Sequence, residues 1–367
     1  MRNRRLKVPF FAVLVGLASC RGGAVYEPTE LSVDDSSTAA TPRTSGDAPA
    51  NAGGQTPAQN PLSGKFVFGP YKDVTVSANW NTNEISSAIT GTLTALSALP
   101  KVDNVTWSFA TGECGSETWA GISADALVQA NVAAFVAAKK NYIVSTGGAA
   151  GSFTCATDDG FSAFLRRYAS ANFVGVDFDI ESGQTQEVID GLVARVQAAQ
   201  KDANWSHLRF SFTLATLGGS GPGLGEAGRK VMSSIQKSGL TGVYFNLMVM
   251  DYGSDSAGSC TLKADGHCDM GRSAIQAANL LQNEYQVPYD RMELTPMIGV
   301  NDSPGETFTV ADVKTVMDFV RDKGLAGVHY WSLDRDIDCQ QATASPTCSG
   351  LSGVGLLGFR AAFSAAL

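Results

Sequence analysis

Phe173-Val174-Gly175-Val176-Asp177-Phe178-Asp179-Ile180-Glu181 is the stretch on which the architecture turns. β-Branched and aromatic residues dominate it, and from Val176 onward apolar and acidic residues alternate, which is the pattern of a strand. Successive side chains of a strand point to opposite faces. The alternation therefore puts Val174, Val176, Phe178 and Ile180 on one face and Gly175, Asp177, Asp179 and Glu181 on the other. Three carboxyls then stand in a row, about 7 Å from one to the next. Like charges at that spacing resist simultaneous ionisation, so at least one carboxyl is expected to hold its proton near neutral pH.

On either side of it, strand-like segments recur, giving the series 65–69, 103–109, 142–146, 173–181, 208–216, 243–250, 291–300 and 327–332. Helical periodicity fills the gaps at 124–140, 161–171, 186–201, 225–237, 272–285 and 310–323, and a last helix closes the chain at 355–366. A first helix near 83–99 is poorly supported, since Gly91 and several Thr and Ser residues lower its propensity. Eight strands alternating with helices over about 300 residues imply an α/β fold, an eight-stranded parallel (β/α)8 TIM barrel. A doubly wound open sheet is the alternative, but no Gly-rich dinucleotide fingerprint follows the first strand. In a barrel, catalytic side chains sit at the carboxyl ends of the strands. Glu181 ends the fourth strand, and Asp179 and Asp177 lie deeper on the same inward row.

The chain has 367 residues, 44% of them hydrophobic, and a net charge of −8. It can bury a sizeable core, and with no basic patch beyond the extreme N-terminus it is not expected to bind nucleic acid. Arg2, Arg4, Arg5 and Lys7 precede an apolar run from Val8 to Ala18 that is too short to span a bilayer. That run ends Leu17-Ala18-Ser19-Cys20, which resembles the lipobox of bacterial lipoproteins. The resemblance implies a signal peptide at 1–19, cleavage before Cys20, and lipidation of Cys20 as a membrane anchor. Arg21 stands where inner-membrane retention would want aspartate. An outer-membrane lipoprotein or a secreted protein of the cell envelope is therefore expected, as a monomer. Residues 20–62, rich in Ser, Thr, Ala, Pro and Gly, read as a disordered tether, and residues 63–367 as the catalytic barrel. Six further cysteines in an exported chain read as disulfides. Fifteen pairings are possible; local spacing favours Cys260–Cys268 and Cys339–Cys348, which leaves Cys114–Cys155. No CxxC is present and His207, His267 and His329 show no ligand spacing, so neither metal nor cofactor is expected.

A carboxylic acid that holds its proton beside an ionised one is what cleavage of a glycosidic bond needs. A row of acids on a strand is also the common form of a solvated face. The surrounding motifs favour chemistry, because across roughly residues 65–367 the chain resembles glycoside hydrolase family 18, the chitinase family. The fourth-strand signature of that family, D-x-x-D-x-D-x-E, is met by Asp177, Asp179 and Glu181, with Val174 at its first position. The third-strand motif S-x-G-G is met by Ser145-Thr146-Gly147-Gly148. The sixth-strand motif M-x-Y-D compares with Met248-Val249-Met250-Asp251, where Met250 takes the place of the tyrosine and Tyr252 follows the acid. Trp331 fits the eighth-strand tryptophan that lies under the sugar. Tyr71, Trp119 and Asn301 fall at predicted top-face loops or strand ends and are further cleft candidates.

The resemblance implies a retaining reaction assisted by the substrate. Glu181 would be general acid and then base, Asp179 would orient the substrate's acetamido group, and Asp177 would share a proton with Asp179. Substrate contacts would come from Tyr252, Asp251, Met250, Trp331, Tyr71, Asn301, Ser145, Gly147 and Gly148. The implied partner is chitin or another N-acetylglucosamine polysaccharide. Two other readings stay open: a chitin-binding lectin on the same barrel, and an endo-β-N-acetylglucosaminidase acting on glycoproteins or peptidoglycan.

Overall fold

The computed structural model describes residues 66–181 and 183–367. The expected signal peptide at 1–19, the expected lipidation site Cys20 and the expected tether at 20–62 lie outside them. Eight parallel strands close into a barrel: β1 (Val67–Asp73), β2 (Asn104–Ala110), β3 (Asn141–Gly147), β4 (Phe173–Asp179), β5 (Arg209–Ala215), β6 (Tyr244–Met248), β7 (Met292–Thr295) and β8 (Gly327–Tyr330). Each pairs with its neighbour in sequence, and β1 closes the ring against β8. The expected (β/α)8 TIM barrel is the fold, and the open sheet is excluded by that closure. No helix among the described residues is long and apolar enough to cross a membrane.

The helices are α1 (Ala124–Ala137), α2 (Asp158–Tyr168), α3 (Gln186–Lys201), α4 (Glu226–Ser238), α5 (Met270–Tyr285), α6 (Val310–Lys323) and α7 (Gly358–Ala366). The weak helix near 83–99 is not formed. Two short paired strands, Ser86–Ser87 and Thr94–Ala95, run into a single 3₁₀ turn at Leu96–Ala98. Gly91 sits at φ +86° between them, a conformation that no right-handed helix admits. The seventh strand is shorter than expected, because Gly299–Val300 leaves the barrel to pair with Thr307–Phe308. The fourth ends at Asp179, so Glu181 lies in the loop beyond the strand.

Packing follows the period of two. The outward face of β4 sets Phe178 among Phe153, Phe161 and Phe212, with ring centroids 5.3–6.4 Å apart. This joins the sheet to α2 and gives an aromatic layer of the kind that supplies much of a core's burial energy. Val174 departs from the expected parity. The β3–β4 register shifts between Phe173 and Gly175, and the bulge takes Val174 away from the main core to pack against Val67 and Ile143. All three disulfides form as the spacing favoured: Cys114–Cys155, Cys260–Cys268 and Cys339–Cys348.

The last helix is held by a distant acid. Leu357, the residue before α7, offers no side-chain cap. The orphan N–H groups of Phe359 and Arg360 donate instead to the two carboxylate oxygens of buried Asp336, both at 2.8 Å, as helix starts require. Burial pushes the Asp336 carboxyl up to about 6. Asp336→Ala is expected to cost about 2 kcal/mol, the upper range for a lost cap, read as a lower urea midpoint. A carboxyl raised in the folded state binds protons more tightly there than in the unfolded chain. Its contribution is thus full below about pH 4 and declines as pH rises toward 6. The variant should lose that part of the pH slope.

Candidate active site

The inward row of β4 is built as its alternation predicts. Asp177 is buried at the bottom and accepts hydrogen bonds from four hydroxyls. Tyr71 Oη (2.9 Å) and Ser145 Oγ (2.7 Å) donate to Oδ2, and Ser211 Oγ (2.8 Å) and Thr213 Oγ1 (2.7 Å) to Oδ1. Four donors match the four lone-pair positions of a carboxylate. Burial pushes Asp177 above the usual range, and the hydroxyl donors pull it back. Asn246, itself fixed by Thr295, donates to Tyr71 Oη at 2.8 Å and to Thr213 Oγ1 at 2.9 Å. Three strands, β1, β3 and β5, thus donate to one carboxylate on β4, and β6 and β7 brace the donors.

Asp179 stands one step higher and differs in kind. It is buried, and among the described residues its Oδ1 has no hydrogen-bond partner and no hydrogen bond joins it to Asp177. Burial, then the charges of Glu181 and Asp177, push its carboxyl well above the ordinary range. Glu181, half-buried, is raised by burial and by Asp251. Both upper acids therefore hold a proton to higher pH than free carboxyls do.

These residues open onto a cavity of about 330 Å³ at the carboxyl end of the barrel, lined by Asp179, Glu181, Tyr71, Met250, Asp251 and Trp331 among others. Among the described residues, its wall holds no Lys, Arg or His. Trp331 and Phe109 stack, with centroids 5.7 Å apart and planes at 17°, and Tyr71 stands 6.2 Å from Trp331. The peptides Ser108–Phe109 and Trp331–Ser332 are cis. Gly147, at φ +90°, has no room for a side chain, because a Cβ there would lie 2.1 Å from the Asp179 carbonyl oxygen. At Gly148 a Cβ would strike the Phe109 ring at 2.7 Å. The two glycines thus let β3 pass beneath the acids and the aromatic wall.

Several expected contacts take other places. Tyr252 is buried and does not line the cavity; among the described residues its Oη has no hydrogen-bond partner. The backbone explains this: Asp251 occupies the left-handed region at φ +48°, which turns Asp251 in and Tyr252 away. Met250 and Asp251 do line the cavity. Ser145, Gly147 and Gly148 support it from below. Asn301 is buried, donating to the carbonyls of Met297 and Gly299 and accepting from the Asp251 N–H. Trp119 is buried with its indole N–H on Tyr168 Oη at 2.8 Å, so it is a core residue. Phe109, Met248, Met297, Thr213, Thr216 and Asp302 line the cavity without having been expected there.

No protein-family model matches the sequence. The chain is 27% identical over 299 residues to the "probable bifunctional chitinase/lysozyme" of Escherichia coli K12, an alignment covering 74% of this chain and 31% of the relative. It is 27% identical over 299 residues to Endochitinase 11 of Metarhizium anisopliae, covering 74% of this chain and 53% of that protein. The catalytic domain of a hyperthermophilic chitinase from Pyrococcus furiosus superposes with a TM-score of 0.64 at 24% identity, over 84% of this chain and 97% of that domain. The chain is chitinase-like in sequence and in fold. It spans about half the length, or less, of the two full-length relatives. The Pyrococcus likeness bears on the barrel alone. Mutants of that domain superpose equally well, at a TM-score of 0.65, in crystals with chito-oligosaccharides.

Proposed function

We propose that this chitinase-like barrel hydrolyses β-1,4-linked N-acetylglucosamine polymers, with retention of configuration and with Glu181 as general acid and base. One observation carries the proposal. A single cavity sets two carboxyls of raised proton affinity, Asp179 and Glu181, beside an aromatic wall of Trp331 and Phe109.

Glu181, raised by burial and by Asp251, holds a proton to give to the glycosidic oxygen. The acetamido oxygen of the sugar attacks the anomeric carbon as the bond to the leaving group breaks, and a cyclic oxazolinium forms. Asp179 Oδ1, which no protein donor occupies, accepts the acetamido N–H and stabilises the charge on the nitrogen. Glu181, now ionised, takes a proton from water as it opens the ring. Asp177, saturated by four hydroxyls, fixes the negative charge beneath Asp179. A wall without basic residues suits a neutral sugar rather than a phosphorylated one.

The test is release of 4-methylumbelliferone from its chitobiose conjugate, followed by product analysis on chitin oligomers. Release with β-configured products is expected. Chitin binding without any release would select the lectin reading. The name of the Escherichia coli relative includes lysozyme, so murein belongs in the same assay; cleavage of murein in preference to chitin would move the substrate to peptidoglycan.

A further inference from the structure

Glu306 is buried and, among the described residues, has no cationic partner, and nothing in the proposed chemistry uses it. It lies on the segment after β7. Its Oε2 accepts the N–H of Tyr252 at 2.9 Å, while its Oε1 has no partner among the described residues. Three further hydrogen bonds join the same two segments. Asp251 N–H donates to Asn301 Oδ1 (3.3 Å), Ser303 N–H donates to Asp251 Oδ1 (3.0 Å), and Gly253 N–H donates to Ser303 Oγ (3.2 Å). The segment 251–253 is thus stitched to 301–306 on both sides of Asp251. The stitching matters because Asp251 is a non-glycine residue at φ +48°, a conformation that persists only where the surroundings impose it. Held there, Asp251 lines the cavity and is the charge that, after burial, raises the Glu181 carboxyl.

We propose that Glu306 is a positioning residue: by fixing the Tyr252 backbone it holds Asp251 in the cavity wall that Glu181 shares, and so governs how the acid gives up its proton. The proposal rests on Glu181 being that acid. The charged and titratable groups near Glu306 are Asp251, Asp255 (paired with His267 at 2.8 Å) and the Tyr252 hydroxyl. Those near Glu181 are Asp179 and Asp251, with Asp302 and Arg335 acting on Asp251. Glu306 does not act on Glu181 directly, so its influence must pass through Asp251. Burial pushes Glu306 itself up to about 7. A neutral side chain with a carbonyl at the same place therefore imitates its protonated form and still accepts the Tyr252 N–H.

The test uses the full chain with Glu306→Ala, Glu306→Gln, Asp251→Asn and the Glu306→Ala/Asp251→Asn pair, comparing pH profiles of kcat/KM. Glu306→Ala should move the alkaline limb down by about one pH unit, the size of a lost neighbouring charge. Glu306→Gln should leave the limb in place. Asp251→Asn should reproduce the shift, and adding Glu306→Ala to it should shift the limb no further. An unmoved limb in Glu306→Ala, an equal shift in Glu306→Gln, or additive shifts in the pair would overturn the assignment. A chain that cleaves no glycan defeats the hydrolase reading instead. Carbon-13 NMR titration of the Glu181 carboxyl still decides the positioning in that case: it should titrate lower in Glu306→Ala than in wild type and Glu306→Gln, and equal titration in all three would refute it.

Discussion

Glu181→Gln is expected to lower kcat on chitin oligomers by about 10²–10⁴, the range that general acid catalysis supplies, while leaving oligomer binding within a few-fold. The glutamine keeps the volume and the half-buried position of Glu181 on the cavity wall but cannot give up a proton. On the proposed mechanism the leaving group departs only when protonated and so loses its donor, while the aromatic wall of Trp331 and Phe109 is untouched. The loss should be greatest on the acidic side of the profile, where the wild-type residue is protonated. Burial and Asp251 extend that protonated range upward from the ordinary carboxylate value, so the wild-type alkaline limb should lie above that value and vanish in the variant. Turnover within ten-fold of wild type, measured beside calorimetric binding, would remove Glu181 from the chemistry.

The barrel was legible because its strands obey a period of two and its helices a period near 3.6, and neither signal depends on tertiary detail. The acidic row was legible for the same reason: Asp177 and Asp179 keep their parity from Val176 to the end of β4. Where the backbone breaks its period, reading failed. Val174 sits at a bulge in β4, and its side chain joins Val67 and Ile143 instead of the helix-facing core. Phe109 is two residues from Trp107, whose ring packs on Phe135 of α1, so parity would send it outward too. A register shift between Trp107 and Ala110 turns it to the cavity. Tyr252 went astray through one left-handed residue, Asp251, which no local pattern announces. Asp336 and Glu306 work through backbone N–H groups distant in sequence, and such contacts leave no mark in composition or spacing.

Asp179→Asn should separate catalysis from stability in opposite directions. Asparagine matches the volume of the buried acid but brings an amide that cannot carry negative charge. If Asp179 receives the acetamido N–H and stabilises the charge developing on that nitrogen, the neutral variant should lose about 10²–10³ in kcat, the scale of one preorganised electrostatic contact. Its effect on stability follows from the raised carboxyl. Asp179 is pushed well above the unfolded range by burial and by the charges of Glu181 and Asp177. The folded protein therefore binds the proton more tightly than the unfolded chain, and stability falls as pH rises above the ordinary carboxylate range. The substituted amide cannot ionise, so this part of the decline should disappear: the variant should match wild type near pH 4 and melt higher than wild type at pH 8. A dead but more stable enzyme is what a strained catalytic group leaves behind when it is neutralised. Melting curves at the two pH values decide the matter. Equal destabilisation at both, in step with the lost activity, would mean that Asp179 serves the fold and that the acetamido group of the substrate finds its partner elsewhere in the cavity.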